Sequence, residues 1–126
     1  MSIVDSIDTM ILMDLPVQYE QAKQHVSTID FTHGSDRFVP FFEAIIRYLG
    51  GLLSAYSLTK EPIFLSKADE IGRALLPVFD TTSGMPAFSI DPATKQKNQG
   101  WMGGMTPLSE MVSSIHLHFA SHTRAS

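Results

Sequence analysis

The chain has no cysteine, which excludes a disulfide framework, a thiolate zinc site, a cysteine nucleophile and thiol redox chemistry. It leaves the compartment open, because many secreted domains also lack disulfides. Basic residues are few, nine Lys and Arg against thirteen Asp and Glu, and the densest basic spot in the loop region is only Lys95 and Lys97 around Gln96. A nucleic-acid-binding domain carries a basic stripe, and none is present here. Long apolar runs are also missing: Tyr48 to Leu58 is about half of the ~20 residues that span a bilayer. The N-terminal stretch is interrupted by Asp5, Asp8 and Asp14, with no basic region before it and no small-residue cleavage site after it, so it does not read as a signal peptide. What remains is 126 residues, 44% hydrophobic and 17% charged, enough for one packed domain and too apolar for disorder.

The apolar spacing is helical almost throughout. Ser2 to Leu15 is too dense in apolar residues for alternation and reads as a buried helix. Val17 to Ile29 places Tyr19, Ala22, Val26 and Ile29 at three- and four-residue intervals, an amphipathic pattern. A turn cluster at Thr32 to Asp36 precedes Phe38 to Thr59, in which Pro40 suits the first turn and apolar side chains occupy every face, predicting a helix buried all round. Lys60-Glu61-Pro62 breaks it. Pro62 to Phe79 is amphipathic again, with Lys67, Asp69, Glu70 and Arg73 on its polar side, and Pro107 to His122 predicts a last helix. Between them Asp80 to Gly104 is irregular, a functional or disordered loop with at most one short strand near Met85 to Ile90. The alternation predicts an all-α stack of helical hairpins.

Chemistry is confined to a few charged residues. Glu43 and Arg47 are the only charges in Phe38 to Thr59 and lie four apart on one face. They are either a structural ion pair or, if buried among Phe41, Phe42, Ile45 and Ile46, a costly pair retained for function, with Glu43 a candidate acid or sugar ligand. Asp5 and Asp8, three apart in the first helix, are either helix-end residues, with Asp5 or Ser2 as N-cap and Asp8 in the first turn near the positive dipole end, or a pair of acceptors for hydroxyl groups. Of the five histidines, His118 and His122 have helical ligand spacing, but HEXXH is absent, and His25, His33, His116, His118 and His122 are expected at surfaces and helix ends. The seven methionines read as core filler.

The segments IVDSIDTMILMDL, FFEAIIRYLGGLLSAYSLT, FLSKADEIGRALLPVFDTTSGMP and SSIHLHF, in this order, resemble glycoside hydrolase family 47, the class I α-1,2-mannosidases that trim high-mannose N-glycans. The pattern FEXXIRXLGGLLSAY is highly specific, VDSXDT and LLPXFXTXXGXP moderately so, and the resemblance covers nearly the whole chain. It implies an (α/α)7 barrel, here a fragment of one, a Ca2+ cofactor in the full-length family, and inverting hydrolysis by two carboxylates with room for a water between them. On that pattern Glu43 is the general acid, Arg47 positions substrate hydroxyls, and Asp5 and Asp8 line the pocket. The resemblance further implies a high-mannose N-glycan or glycoprotein substrate and a secretory-pathway setting, in the endoplasmic reticulum, in the Golgi or outside the cell.

The departures are as informative. His118 in IHLHF stands where the family usually has Glu, Pro40 where it has a polar residue, and Thr82 where it has Pro. A family 47 catalytic domain is several times longer, so residues 1–126 are expected to be part of it, truncated at both ends. On the resemblance they are expected to lack the remaining catalytic carboxylates and the Ca2+-binding Thr, to expose inner apolar faces and to be inactive alone. A non-catalytic mannose-binding relative and an unrelated helical module are the alternatives.

Overall fold

The computed structural model describes residues 2–31, 39–82, 85–91 and 93–98. The expected helix at Pro107 to His122, with His118, lies outside them, as do His33, His116 and His122.

Within the described residues the fold is two helical hairpins packed side by side. The first hairpin starts with α1 (Ser2–Asp5) and α2 (Ile7–Leu12), separated by Ser6, and returns along α3 (Pro16–Thr28). The expected single helix is thus broken once: the Ser6 hydroxyl bonds back to the Ser2 carbonyl at 2.5 Å, a local bond that competes with the helical ladder. The turn into α3 passes through Asp14 in the left-handed region, φ 53°, which Asp tolerates better than most residues. Pro16 then supplies the first turn of α3.

The second hairpin rises through α4 (Phe41–Glu43), a π-helical stretch (Ala44–Leu49) and α5 (Gly50–Thr59), and returns along α6 (Pro62–Leu75) into a 3-10 turn (Leu76–Phe79). Lys60 ends α5 at φ 58°, and Glu61, held extended before Pro62, starts the return.

Like helices run parallel. α1 and α2 pack along the π-helical stretch and α5, while α3 packs along α6. On the α3/α6 side, the Tyr19 hydroxyl donates to Glu61 Oε1 at 2.6 Å and Lys23 Nζ lies 2.5 Å from Glu61 Oε2. Further along, Lys67 Nζ donates to the Ile29 carbonyl at 2.6 Å and to Glu70 at 2.9 Å, while Glu70 accepts the Phe31 amide at 3.1 Å. The partner numbers climb together, from 19 with 61 to 31 with 70, which fixes the parallel sense. Between the layers Val4, Ile7, Val26, Ile45, Leu49, Leu52, Phe64 and Leu75 are buried to within 1% of complete. Burying side chains of this kind is worth roughly 1.5–3 kcal/mol each before conformational entropy is subtracted.

Two expectations need correction. The first concerns strands: the sequence predicts at most one, and among the described residues there are three, β1 (Val39–Pro40), β2 (Ser89–Ile90) and β3 (Lys97–Asn98), in one small antiparallel sheet of order β1-β2-β3. β2 falls in the expected place. β1 arises because Val39 precedes proline and is driven out of the helical region, so the helix begins at Phe41, whose amide bonds the Phe88 carbonyl at 2.9 Å. β3 arises from the polar tract, where Asp91 accepts the Ala93 amide at 2.9 Å and the Thr94 hydroxyl at 2.8 Å, building a compact turn rather than a loose loop. Ile90, fully buried, pins this sheet to the helical core. The second correction concerns burial: the helix over 41–59 is not buried all round, since the Glu43 and Arg47 side chains are 39% and 41% exposed.

Candidate active site

α5 and the turns before it bring the charged residues together. A glycine at position 51 lets the first hairpin come unusually close: a Cβ there would stand 2.8 Å from the Val4 carbonyl oxygen and 3.2 Å from its carbon. No side chain fits in that gap, so the α1 and α5 backbones meet directly. The residue after Val4 is Asp5, and one helical turn before Gly51 is Arg47. Close approach at the first pair therefore delivers the second, with Arg47 Nη1 3.4 Å from Asp5 Oδ2.

Arg47 Nε also donates to Glu43 Oε2. The guanidinium thus bridges two carboxylates from different hairpins, which a fork of five N–H donors can do and an ammonium cannot do with the same geometry. The hydrogen bond that Arg47 donates to Glu43 first, then the charges of Glu43 and Asp5, raise the Arg47 pKa above its usual value.

Asp8 lies on the same side, one turn beyond Asp5, but is not part of the Arg47 bridge. Its Oδ2 accepts the Ser54 hydroxyl at 3.1 Å and its Oδ1 accepts the Thr9 amide at 2.7 Å. Asp5 lies in the first turn of α1 and Asp8 in the first turn of α2, near the positive helix ends, while Ser6 precedes α2 without a side-chain capping bond. Four sequence candidates are therefore brought onto one surface, three as a linked array and the fourth beside it on its own donors. Because Asp5 is 44% exposed and its two partners nearly as open, desolvation cost is not what singles these residues out, contrary to the argument from an apolar neighbourhood.

Gly51 and Ser54 are the participants that the sequence reading passed over. The signal was an LGG pair and a serine inside an apolar helix, neither of which identifies its partner 46 or so residues away. His25 is exposed in the last turn of α3, as expected of a helix-end residue. Among the described residues no group of three or more His, Asp or Glu is arranged to hold a metal ion. Asp5 and Glu43 face a guanidinium that already supplies their counter-charge, so these residues do not fit a Ca2+ site.

Among the described residues the fold is a pair of parallel-packed helical hairpins with a linked array of charged side chains on one helix pair. It matches the solved structure of an α-1,2-mannosidase from Trichoderma reesei with a TM-score of 0.70 and 31% identity, over 79% of this chain and 24% of that one. The all-α class and the relation to a segment of an (α/α)7 barrel stand as expected. The chain belongs to glycosyl hydrolase family 47, whose model matches residues 1–125. It is 43% identical to the mannosyl-oligosaccharide 1,2-α-mannosidase mans-2 of Caenorhabditis elegans over 99% of this chain and 21% of the relative. It is 36% identical to the endoplasmic reticulum mannosyl-oligosaccharide 1,2-α-mannosidase of Rattus norvegicus over 98% of this chain and 19% of the relative. The chain thus spans about a fifth of the length of the curated relatives it matches.

Proposed function

We propose that this chain forms the acid-bearing wall of an α-1,2-mannosidase site acting on high-mannose N-glycans in the secretory pathway. The observation that carries the reading is the array of Asp5, Arg47 and Glu43, two carboxylates from separate hairpins held on one guanidinium at a solvent-open surface. Sugar recognition needs such a surface: carboxylate acceptors and guanidinium donors matched to ring hydroxyls, reachable without unfolding anything.

Glu43 is the general acid, protonating the glycosidic oxygen as the bond breaks. Arg47 exchanges its bond to Glu43 for substrate hydroxyls when the sugar docks, which frees Glu43 Oε2 to face the glycosidic oxygen. Asp5 and Asp8 accept further hydroxyls along the wall. An inverting reaction needs a second carboxylate on the opposite face of the sugar to activate water. No carboxylate of this chain stands in a motif matching that role, so the chain binds the sugar and does not turn it over. A Ca2+ ion bound elsewhere in an assembled site would supply Lewis-acid contacts to substrate hydroxyls, and none of the residues described here would hold it. Rat and worm relatives named as mannosyl-oligosaccharide mannosidases, one of them from the endoplasmic reticulum, support the substrate class and the compartment.

Titration of the chain with α-1,2-mannobiose, followed by amide NMR shifts, tests this. Saturable shifts centred on Asp5, Glu43 and Arg47 that vanish in Arg47→Ala are expected, and their absence from the wild-type chain overturns the reading. A parallel assay with Ca2+ should release no mannose. Release abolished by Glu43→Gln would refute the account of the missing base.

A further inference from the structure

We propose that Ser54 is a positioning residue for sugar recognition: through its hydrogen bond to Asp8 it fixes which carboxylate oxygens remain free for a pair of ring hydroxyls. The inference rests on the mannoside-binding reading above and adds a residue to it.

Ser54 lies in the middle of α5, where a serine contributes nothing to helix formation and its hydroxyl would ordinarily turn to water or to the carbonyl four residues back. Instead it reaches across the helix interface to Asp8 Oδ2 at 3.1 Å. Asp8 Oδ1 is held at the same time by the Thr9 amide at 2.7 Å. A carboxylate has about four acceptor positions, two on each oxygen. Ser54 takes one on Oδ2 and the Thr9 amide one on Oδ1, and the second on Oδ1 meets only the Thr9 hydroxyl at 3.5 Å, a long contact that a ring hydroxyl can displace, so the plane is set and one position per oxygen is open to a sugar. Two adjacent acceptors on a fixed plane suit two neighbouring hydroxyl donors of a hexose. Without Ser54 the carboxylate rotates about χ2, a broad torsion, and the pair of acceptors is no longer preset.

The Val4–Gly51 contact makes this arrangement stiff. Ser54 follows Gly51 by three residues and Asp8 follows Val4 by four, so the backbone contact and the hydroxyl bond lie on the same parallel seam, about a turn apart. The Arg47–Asp5 bridge occupies the other side of Gly51. Ser54 thereby does for Asp8 what Arg47 does for Asp5, as a neutral donor where the other is a cation.

The test is α-1,2-mannobiose affinity and thermal midpoint, measured on the same samples of wild type, Ser54→Ala, Ser54→Thr and Ser54→Cys. Ser54→Ala should weaken binding about fivefold, the loss of one hydrogen bond. Ser54→Thr should restore it to within about twofold, having kept the hydroxyl. Ser54→Cys, which keeps the volume and loses the strong donor, should behave as Ser54→Ala and reports even if the alanine variant does not fold. Ser54→Ala and Ser54→Cys affinities equal to wild type, whatever the thermal midpoints do, overturn the positioning role and leave Ser54 a packing residue. A wild-type chain that binds no mannobiose overturns the site reading itself, and this inference with it.

Discussion

Gly51→Ala and Gly50→Ala differ by one position and should move stability in opposite directions. At Gly50 the nearest atom to an added Cβ is the Ile45 carbonyl oxygen at 3.5 Å, an ordinary contact, and α5 gains a better helix former. That change is worth roughly 0.5–1 kcal/mol of stabilisation. At Gly51 the added carbon lies 2.8 Å from the Val4 carbonyl oxygen, 0.6 Å inside the 3.4 Å at which ordinary contact starts. The obstructing atom is backbone and cannot swing aside, so the hairpins must part. Overpacking of this kind costs about 1–3 kcal/mol, against a propensity gain near 1 kcal/mol, for a net loss of about 0–2 kcal/mol. The two variants should therefore differ by roughly 1–3 kcal/mol, and at about 3–6 °C per kcal/mol for a chain of this size their thermal midpoints by ~3 °C or more. Parting of the hairpins also stretches the 3.4 Å Arg47–Asp5 contact while sparing Arg47–Glu43, which lies within one helix. Circular dichroism melts, with the Arg47 Nε–H resonance as a local probe, read both effects. Equal stabilisation by the two alanines would refute the argument that Gly51 sets the approach of α1 to α5.

Burial first, then the Glu61 hydrogen bond, push the Tyr19 phenol from 10.0 to about 12, so the folded chain holds a proton that the unfolded chain releases. Stability from this group is whole below pH 10 and falls as pH rises from about 10 to 12; Tyr19→Phe should flatten that limb of a urea-midpoint profile and remove the latest-rising phenolate absorbance at 295 nm. Phe64, fully buried and tilted against Tyr19 at 6.3 Å, should cost about 3–5 kcal/mol when replaced by alanine, seen as a loss of urea midpoint with little change in slope.

The helices were legible because each buries one stripe, and three- and four-residue spacing of Ala22 and Val26, and of Phe64, Ala68, Ile71 and Leu75, records that stripe directly. Glu43 and Arg47 were legible as a pair because four residues is one helical turn. Their third partner was visible only as a candidate, since nothing local to Asp5 says which helix will lie across from it. The small sheet was mostly illegible: two-residue strands are too short to show alternation, and Val39 is extended by the proline that follows rather than by its own pattern. The exposure of Glu43 is illegible for a related reason. Apolar neighbours in sequence do not fix what covers a helix face, and Phe42 and Ile46, next to Glu43 and Arg47 in sequence, are themselves only half-buried. Tyr19, Lys23 and Glu61 form a cluster across two helices that no spacing rule links.

The three contacts at positions 47, 51 and 54 act as marks on a single rod, and this governs where the chain tolerates a change of length. Removing or adding one residue between Arg47 and Ser54 would rotate everything beyond it by about 100° and slide it ~1.5 Å, so that no register preserves all three contacts. The turn around Asp91 carries no such constraint: its side chain organises only its immediate neighbours, and an extra residue there lengthens an exposed hairpin tip. Lineages descended from this chain should therefore gain and lose residues around 93–96 and hold the interval from Arg47 to Ser54 constant.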